Sequence, residues 1–237
     1  MNRFSHRIGA RSLRLLIGCM LCALYGAARA DGLYQIELVV FARDGAQPDV
    51  PWRADLPLRY PEHLQVLQAE AEGDPVPFQL LPSSALQLNR EAAALGQRRA
   101  LRVLFHGAWQ QNIADTDHAG AVFINGGRAF GNHHELEGFV SLSSERFLHI
   151  NSELWLTRFA PRPVAAATAT APQLPPAPVA SDSDATTNAD AVQVLPEKVY
   201  VLQDQRRLRG GELLYQDHPQ LGALVLVTPV ADATAQQ

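Results

Sequence analysis

The run Tyr34-Gln35-Ile36-Glu37-Leu38-Val39-Val40-Phe41 decides the fold class. Tyr34, Ile36, Leu38 and Val40 alternate with Gln35 and Glu37, after which Val39 and Phe41 make both faces apolar. A period of two in β-branched and aromatic residues is a strand, and apolar side chains on both faces place it centrally in a sheet.

Working outward toward the C-terminus, residues 44–82 carry seven prolines, Pro48, Pro51, Pro57, Pro61, Pro75, Pro77 and Pro82. They read as irregular, with one short strand or turn around Leu64 to Gln68. Pro82-Ser83-Ser84 then opens a helix in which a serine caps the free amides, and Leu86, Leu88, Ala92, Ala93 and Leu95 supply a stripe of helical period up to Gly96. Leu101 to Trp109 returns to alternation, with Val103, Phe105 and Trp109 on one side and Arg102, His106 and Gln110 on the other.

A short strand at Ala121 to Ile124 precedes a glycine-rich turn, and Leu136 to Leu142 and Phe147 to Thr157 form a hairpin about Ser143-Ser144-Glu145-Arg146. In its longer arm Leu148, Ile150, Leu154 and Leu156 face one way. Phe147, His149, Asn151, Glu153 and Trp155 face the other, a mixture of aromatic and hydrogen-bonding groups unlike ordinary core. Lys198 to Leu208 and Gly222 to Thr228 are the last two strands, joined by a loop containing Asp217-His218-Pro219. Hairpins with one principal helix predict an α+β domain with a mainly antiparallel sheet.

Toward the N-terminus, Arg3, Arg11 and Arg14 precede the apolar run Leu15 to Leu24, which is too short to cross a hydrocarbon layer of ~30 Å. Ala28-Arg29-Ala30 has the small-x-small pattern of a cleavage site, so residues 1–30 read as a signal peptide cut before Asp31, and 31–237 as an exported, periplasmic chain with no remaining membrane span. Leu16-Ile17-Gly18-Cys19 has the letters of a lipobox, but Cys19 lies inside the apolar run, where lipid attachment is not expected. Both cysteines, Cys19 and Cys22, fall in the removed segment, so stability rests on a hydrophobic core. The net charge of −4 offers no electrostatic footprint for nucleic acid.

Residues 160–196 are Pro-, Ala- and Thr-rich, with no aromatic between Phe159 and Tyr200. Such a segment buries too little apolar area to offset its ordering entropy and reads as a disordered insertion within a single domain spanning 31–237.

Three constellations bear on chemistry. His133-His134 with Glu135 and Glu137, together with His106, His118, His149 and His218, raise a metal site, but adjacent histidines on a strand point to opposite faces, and the pair lies in a glycine-rich loop. Glu145, Glu153, Glu212 and Asp217 are possible acids, yet no spacing singles out the pair that glycan cleavage requires. Nucleophile and phosphate-loop signatures are absent, and neither cofactor nor metal is expected. The third is Gln205 to Pro219, where Arg206, Arg207 and Arg209 precede Gly210-Gly211 and then Glu212, Tyr215, Asp217 and His218. Guanidinium forks suit carboxylates and an aromatic face suits a sugar ring, although arginines pairing with Glu212 and Asp217 on a strand would explain the same run structurally.

Four blocks, Tyr34 to Phe41, Val103 to Trp109, Phe147 to Asn151 with Leu154-Trp155-Leu156, and Arg206 to Pro219, come in the order found in the CsiV-like periplasmic proteins, which the chain resembles over most of residues 31–237. That resemblance implies a non-catalytic peptidoglycan-binding protein of cell shape, supporting a bifunctional wall synthase together with its outer-membrane lipoprotein activator. It supplies no ligand residues. The Ser143-Ser144-Glu145 turn, where a glycine-containing turn is expected, and the insertion depart from the family pattern. The candidate contacts are therefore Arg206, Arg207, Arg209, Glu212, Tyr215, Asp217 and His218, with His149, Asn151 and Trp155 on the hairpin face. The alternatives are a protein-binding adaptor without glycan affinity and a wall hydrolase using Glu153 or Glu212.

Overall fold

The computed structural model describes residues 32–45, 57–70, 73, 75–113, 120–144, 146–163, 172–178 and 192–230. Residues 1–30, read from sequence as a signal peptide, His118, Glu145 and most of residues 160–196 lie outside them. Two sheets are built. The first is ordered β3 (Leu101–Asn112), β1 (Leu33–Arg43), β9 (Leu221–Pro229), β8 (Leu213–Asp217), all antiparallel. The second is ordered β2 (Leu64–Val66), β4 (Ala121–Phe130), β5 (His133–Ser144), β6 (Leu148–Pro163), β7 (Val192–Leu208), antiparallel except for the parallel β2–β4 pair.

One core takes residues from both sheets, so they pack face to face as a sandwich. Ile36, Leu38 and Val40 of β1 enter it as their alternation predicts, as do Leu148, Ile150, Leu154 and Leu156 of β6. β1 is central, flanked by β3 and β9. Its other face is covered too: Val39 packs with Leu226, Leu88 and Ala92, the last on helix α1 (Asn89–Gly96). The expected α+β class thus resolves, among the described residues, into a sheet-dominated sandwich with one eight-residue helix.

The chain departs from the sequence reading in five places. No continuous helix runs from Pro82: a 3-10 turn at Ser83–Ala85 precedes α1, no serine side chain caps it, and the Glu37 carboxylate accepts from the Gln87 and Leu88 amides that lead into it. A register shift between Val40 and Phe41 lets Val103 face the helix while Phe105 and Trp109 face the core, so these three do not share a side. β4 runs on through Gly126-Gly127, with a bulge at Gly127-Arg128 opposite Glu135, and His133-His134 open β5 instead of lying in a loop. Gly126 is required there, since a Cβ would stand 2.2 Å from the Leu104 carbonyl oxygen. A further strand, β8, occupies residues read as loop. Lastly, β6 and β7 pair as far as Pro163 and Val192, inside the segment read as disordered, and Pro172 is buried.

The side of the sandwich between β3 and β4 is closed by residues 64–70 and 75–81. β2 pairs with β4, the Gln68 amide donates to the Phe78 carbonyl, and the Phe78 and Leu81 amides donate to Gln110 and Ala108 of β3. Hydrogen bonding therefore passes from one sheet to the other along this side, while among the described residues β7 and β8 are the edge strands on the opposite side.

Candidate functional site

The run Arg206 to His218 does not form one surface. β7 ends at Leu208 on the edge of the second sheet, Arg209 to Glu212 turn, and β8 proceeds along the edge of the first. Gly211 takes φ +80° in this turn and its amide donates to the Val227 carbonyl. At ~3.3 Å per residue the length of β8 separates its two ends by about 15 Å. The arginines thus lie at the end of the sandwich near the β5–β6 connection, and Tyr215, Asp217 and His218 at the end near the C-terminus of β1.

At the first end, the Arg207 guanidinium lies over the Phe147 ring, 4.2 Å from its centroid, and Arg146 approaches the same ring at 5.6 Å. Phe147 is 42% exposed. His149 stands opposite Arg207 across the β6–β7 ladder and Asn151 opposite Gln205, so these four share the outer face. Arg206 Nε is 2.8 Å from Asp204, and Arg209 and Glu212 are exposed in the turn. A stacked guanidinium keeps its N–H edge free for a carboxylate, and a partly exposed ring beside it suits the apolar face of a sugar. Trp155, read as part of this face, is fully buried under the Tyr60 ring at 5.2 Å and offers no contact surface.

At the second end, the Tyr215 hydroxyl donates to Asp217 at 2.6 Å and Arg43 reaches both. The Tyr215 bond, helped by Arg43, holds the Asp217 carboxyl below its ordinary range, while burial and the bond to Asp217 push the Tyr215 hydroxyl up. His218 is half-buried near the Tyr200 ring, and burial lowers its pKa. Beside this group, Arg102 of β3 donates to Asp44 at 2.9 Å and to Glu135 of β5 at 2.6 Å, tying the two sheets together. The Arg102 bond holds Asp44 low. Burial raises Glu135, but the Arg128 amide and the Arg102 guanidinium outweigh it and the net shift is downward. These partners satisfy one another, which is the behaviour of a structural clamp.

Within the histidine group considered for a metal, His133 pairs with Glu137. Glu137 is fully buried and accepts from His133 Nδ1 at 3.1 Å, the His134 amide at 2.9 Å and the Tyr60 hydroxyl at 3.4 Å. Burial and then the Glu137 charge push the Tyr60 hydroxyl up. Among the described residues no three His, Asp or Glu side chains converge to hold a metal. Of the acids considered for hydrolysis, Glu153 meets Gln203 at 3.4 Å with its pKa raised by burial, and Glu212 lies in the exposed turn.

The sequence profile of one protein family, described as "Peptidoglycan-binding protein, CsiV", matches residues 12–230. The chain belongs to the CsiV family. The match spans both sheets, α1 and the turn that carries the arginines, so the CsiV sandwich is the family's domain and not an addition to it. No curated protein and no solved structure matches the chain. The family's description directs attention to the cell envelope, and among the described residues no helix is long and apolar enough to cross a membrane.

Proposed function

We propose that this CsiV-family chain is a non-catalytic peptidoglycan-binding protein of the periplasm, exported by a cleaved signal peptide, that supports wall synthesis and cell shape together with a bifunctional synthase and its lipoprotein activator. The observation that carries the reading is the Arg207 guanidinium stacked on the partly exposed Phe147 ring, with Arg146 at the same ring and His149 and Asn151 on the same outer face, while Arg206, on the opposite side of β7, and Arg209, in the turn that follows, are exposed at the same strand end. Stem peptides of the wall offer carboxylates to the guanidinium edges, and the glycan offers sugar faces to the ring.

Purified residues 31–237 should pellet with insoluble sacculi without releasing soluble muropeptides. The Arg206→Ala, Arg207→Ala double variant should bind at least about ten-fold more weakly, since two charge-assisted contacts are worth ~1.5–3 kcal/mol each. Both residues are exposed, so its Tm should stay within about 2 °C of the parent. Full retention of the double variant removes this face from the site, and time-dependent muropeptide release would revive the hydrolase. The adaptor reading draws on the open edges of β7 and β8, where Leu213 and Tyr215 are exposed, and predicts synthase or activator binding with no wall material present.

A further inference from the structure

A recessed site lies on the side of the sandwich opposite β7 and β8, where residues 64–70 and 75–81 close the gap between β3 and β4. It is a cavity of about 260 Å³. Its apolar walls are Leu67 and Leu80 of the closing segment, Phe105 of β3 and Phe123 of β4. Asn125, Asn132 and His134 gather at its polar side. Ala177, from the Pro- and Ala-rich insertion, completes the lining, so part of that insertion is built into the fold.

Three properties select a ligand. Among the described residues no acid, lysine or arginine lines the cavity, which disfavours a charged group that would have to shed its water without a partner. The polar side consists of two amides and an imidazole. Asn125 Nδ2 lies 3.3 Å from His134 Nδ1, and in the tautomer where Nδ1 accepts, Nε2 is a donor, while each asparagine keeps unused donor and acceptor capacity. The volume falls just below the ~300 Å³ low end of sites for drug-sized molecules, so one ring fits and a polymer strand does not.

The walls are also held rigidly. Phe123 meets Tyr60 edge-on, with centroids 5.4 Å apart and planes at 82°, and Tyr60 in turn packs on the buried Trp155 while its hydroxyl reaches Glu137. A fixed aromatic wall loses little freedom when a ligand docks against it.

We infer that this cavity takes a neutral acetamido sugar, with the apolar sugar face and acetyl methyl against the phenylalanine side and the acetamido N–H and C=O on the asparagine and histidine side. This rests on the peptidoglycan reading for the polymer that carries the sugar. It adds a glycan subsite separate from the arginine face, and it gives Ala177 a role in the wall of that subsite.

Saturation-transfer NMR on residues 31–237 tests it, with N-acetylglucosamine, glucosamine and D-alanyl-D-alanine as probes. The acetyl methyl of N-acetylglucosamine should receive the strongest transfer and the other two probes little. Ala177→Trp, which fills the cavity from a peripheral segment, should weaken the signal at least about ten-fold with Tm unchanged. Should that variant fold poorly, Asn132→Ala in the exposed β4–β5 turn should reduce the signal by itself. Arg206→Ala, Arg207→Ala should leave it intact. No transfer from N-acetylglucosamine, equal transfer from glucosamine or the dipeptide, or an undiminished signal in well-folded Ala177→Trp overturns the inference. Sacculus pelleting separates the two failures: pelleting without sugar transfer refutes the cavity and leaves wall binding standing, whereas transfer without pelleting supports the cavity and refutes the wall reading.

Discussion

Replacing Glu37 by alanine should destabilise the protein by about 3–5 kcal/mol through three orphaned donors. Glu37 is 1% exposed, on the face of β1 turned away from the sandwich core. Its carboxylate accepts from the Gln87 amide at 2.6 Å, the Leu88 amide at 2.8 Å and His106 Nε2 at 2.9 Å. Leu88 is the residue that precedes the first turn of α1, where amides lack partners within the helix and negative charge is favoured. Each buried donor left unpaired costs ~1–3 kcal/mol, and water reaches the partly buried Gln87 amide and His106 ring more readily than the buried Leu88 amide, which sets the sum in the lower part of the range for three donors. Against a typical total of 5–15 kcal/mol this is a large fraction, and it corresponds to a fall in Tm of about 10 °C. Glu37→Gln keeps one acceptor oxygen but turns an N–H toward a donor, so it should cost about 1–2 kcal/mol. Urea unfolding followed by tryptophan fluorescence gives both values, with the m-value unchanged if only native bonds are lost. In a Glu37→Ala, His106→Ala cycle the coupling isolates the histidine contribution. A loss below about 1 kcal/mol for Glu37→Ala would show that water replaces the carboxylate and would refute the argument.

Two further predictions concern the second sheet. Gly138 has φ +141°, and a Cβ there would lie 2.2 Å from the Glu153 carbonyl oxygen and 2.7 Å from Leu154 Cα, so Gly138→Ala should cost at least about 3 kcal/mol or prevent soluble expression. Gly131→Ala is the control, having φ +60° but open space, and should cost about 1–2 kcal/mol in the same melt. Burial raises the Glu153 pKa, so its contribution to stability is present below the unfolded-state value of 4.5 and lost as pH rises through the folded-state value. Glu153→Gln should therefore raise Tm near neutral pH and leave it unchanged at about pH 3, where both forms are neutral; an equal effect at both pH values would assign the change to packing.

The core faces of β1 and β6 were legible because a period of two leaves no other side for their apolar residues to go. The bulges were not, because a bulge is set by the partner strand: Val103 changes face only because Leu104 is the extra residue opposite the Val40–Phe41 step. β8 escaped for a different reason. Leu213 and Tyr215 are exposed and the inward Gln216 is buried, so the strand inverts the usual pattern. Trp155 was correctly set on the polar face of its strand, but nothing near it in sequence announces that Tyr60 lies over it. The arginine run was visible as chemistry, whereas its division between two sheet edges follows from a crossing that the Gly210-Gly211 turn permits and does not declare.

Charge bears on how such a chain meets the wall. Five of the 20 basic residues and none of the 24 acidic ones lie in residues 1–30, so residues 31–237 carry −9. Stem-peptide carboxylates make the wall an acidic partner, and the long-range field therefore opposes approach instead of steering it. Attraction has to be local, within a screening length of about 8 Å at physiological salt, and it has to exceed that background. The end of β7 meets the requirement: Arg146, Arg206, Arg207 and Arg209 gather there, and the described acids beside them are Asp204, already engaged by Arg206, and Glu212 in the turn. Moderate salt screens the distant repulsion over a longer range than it weakens a stacked guanidinium in contact with a carboxylate. Retention on sacculi should accordingly hold or rise between low and physiological ionic strength, whereas a steep fall over that interval would mean that binding is diffuse attraction, which a chain of this charge does not supply.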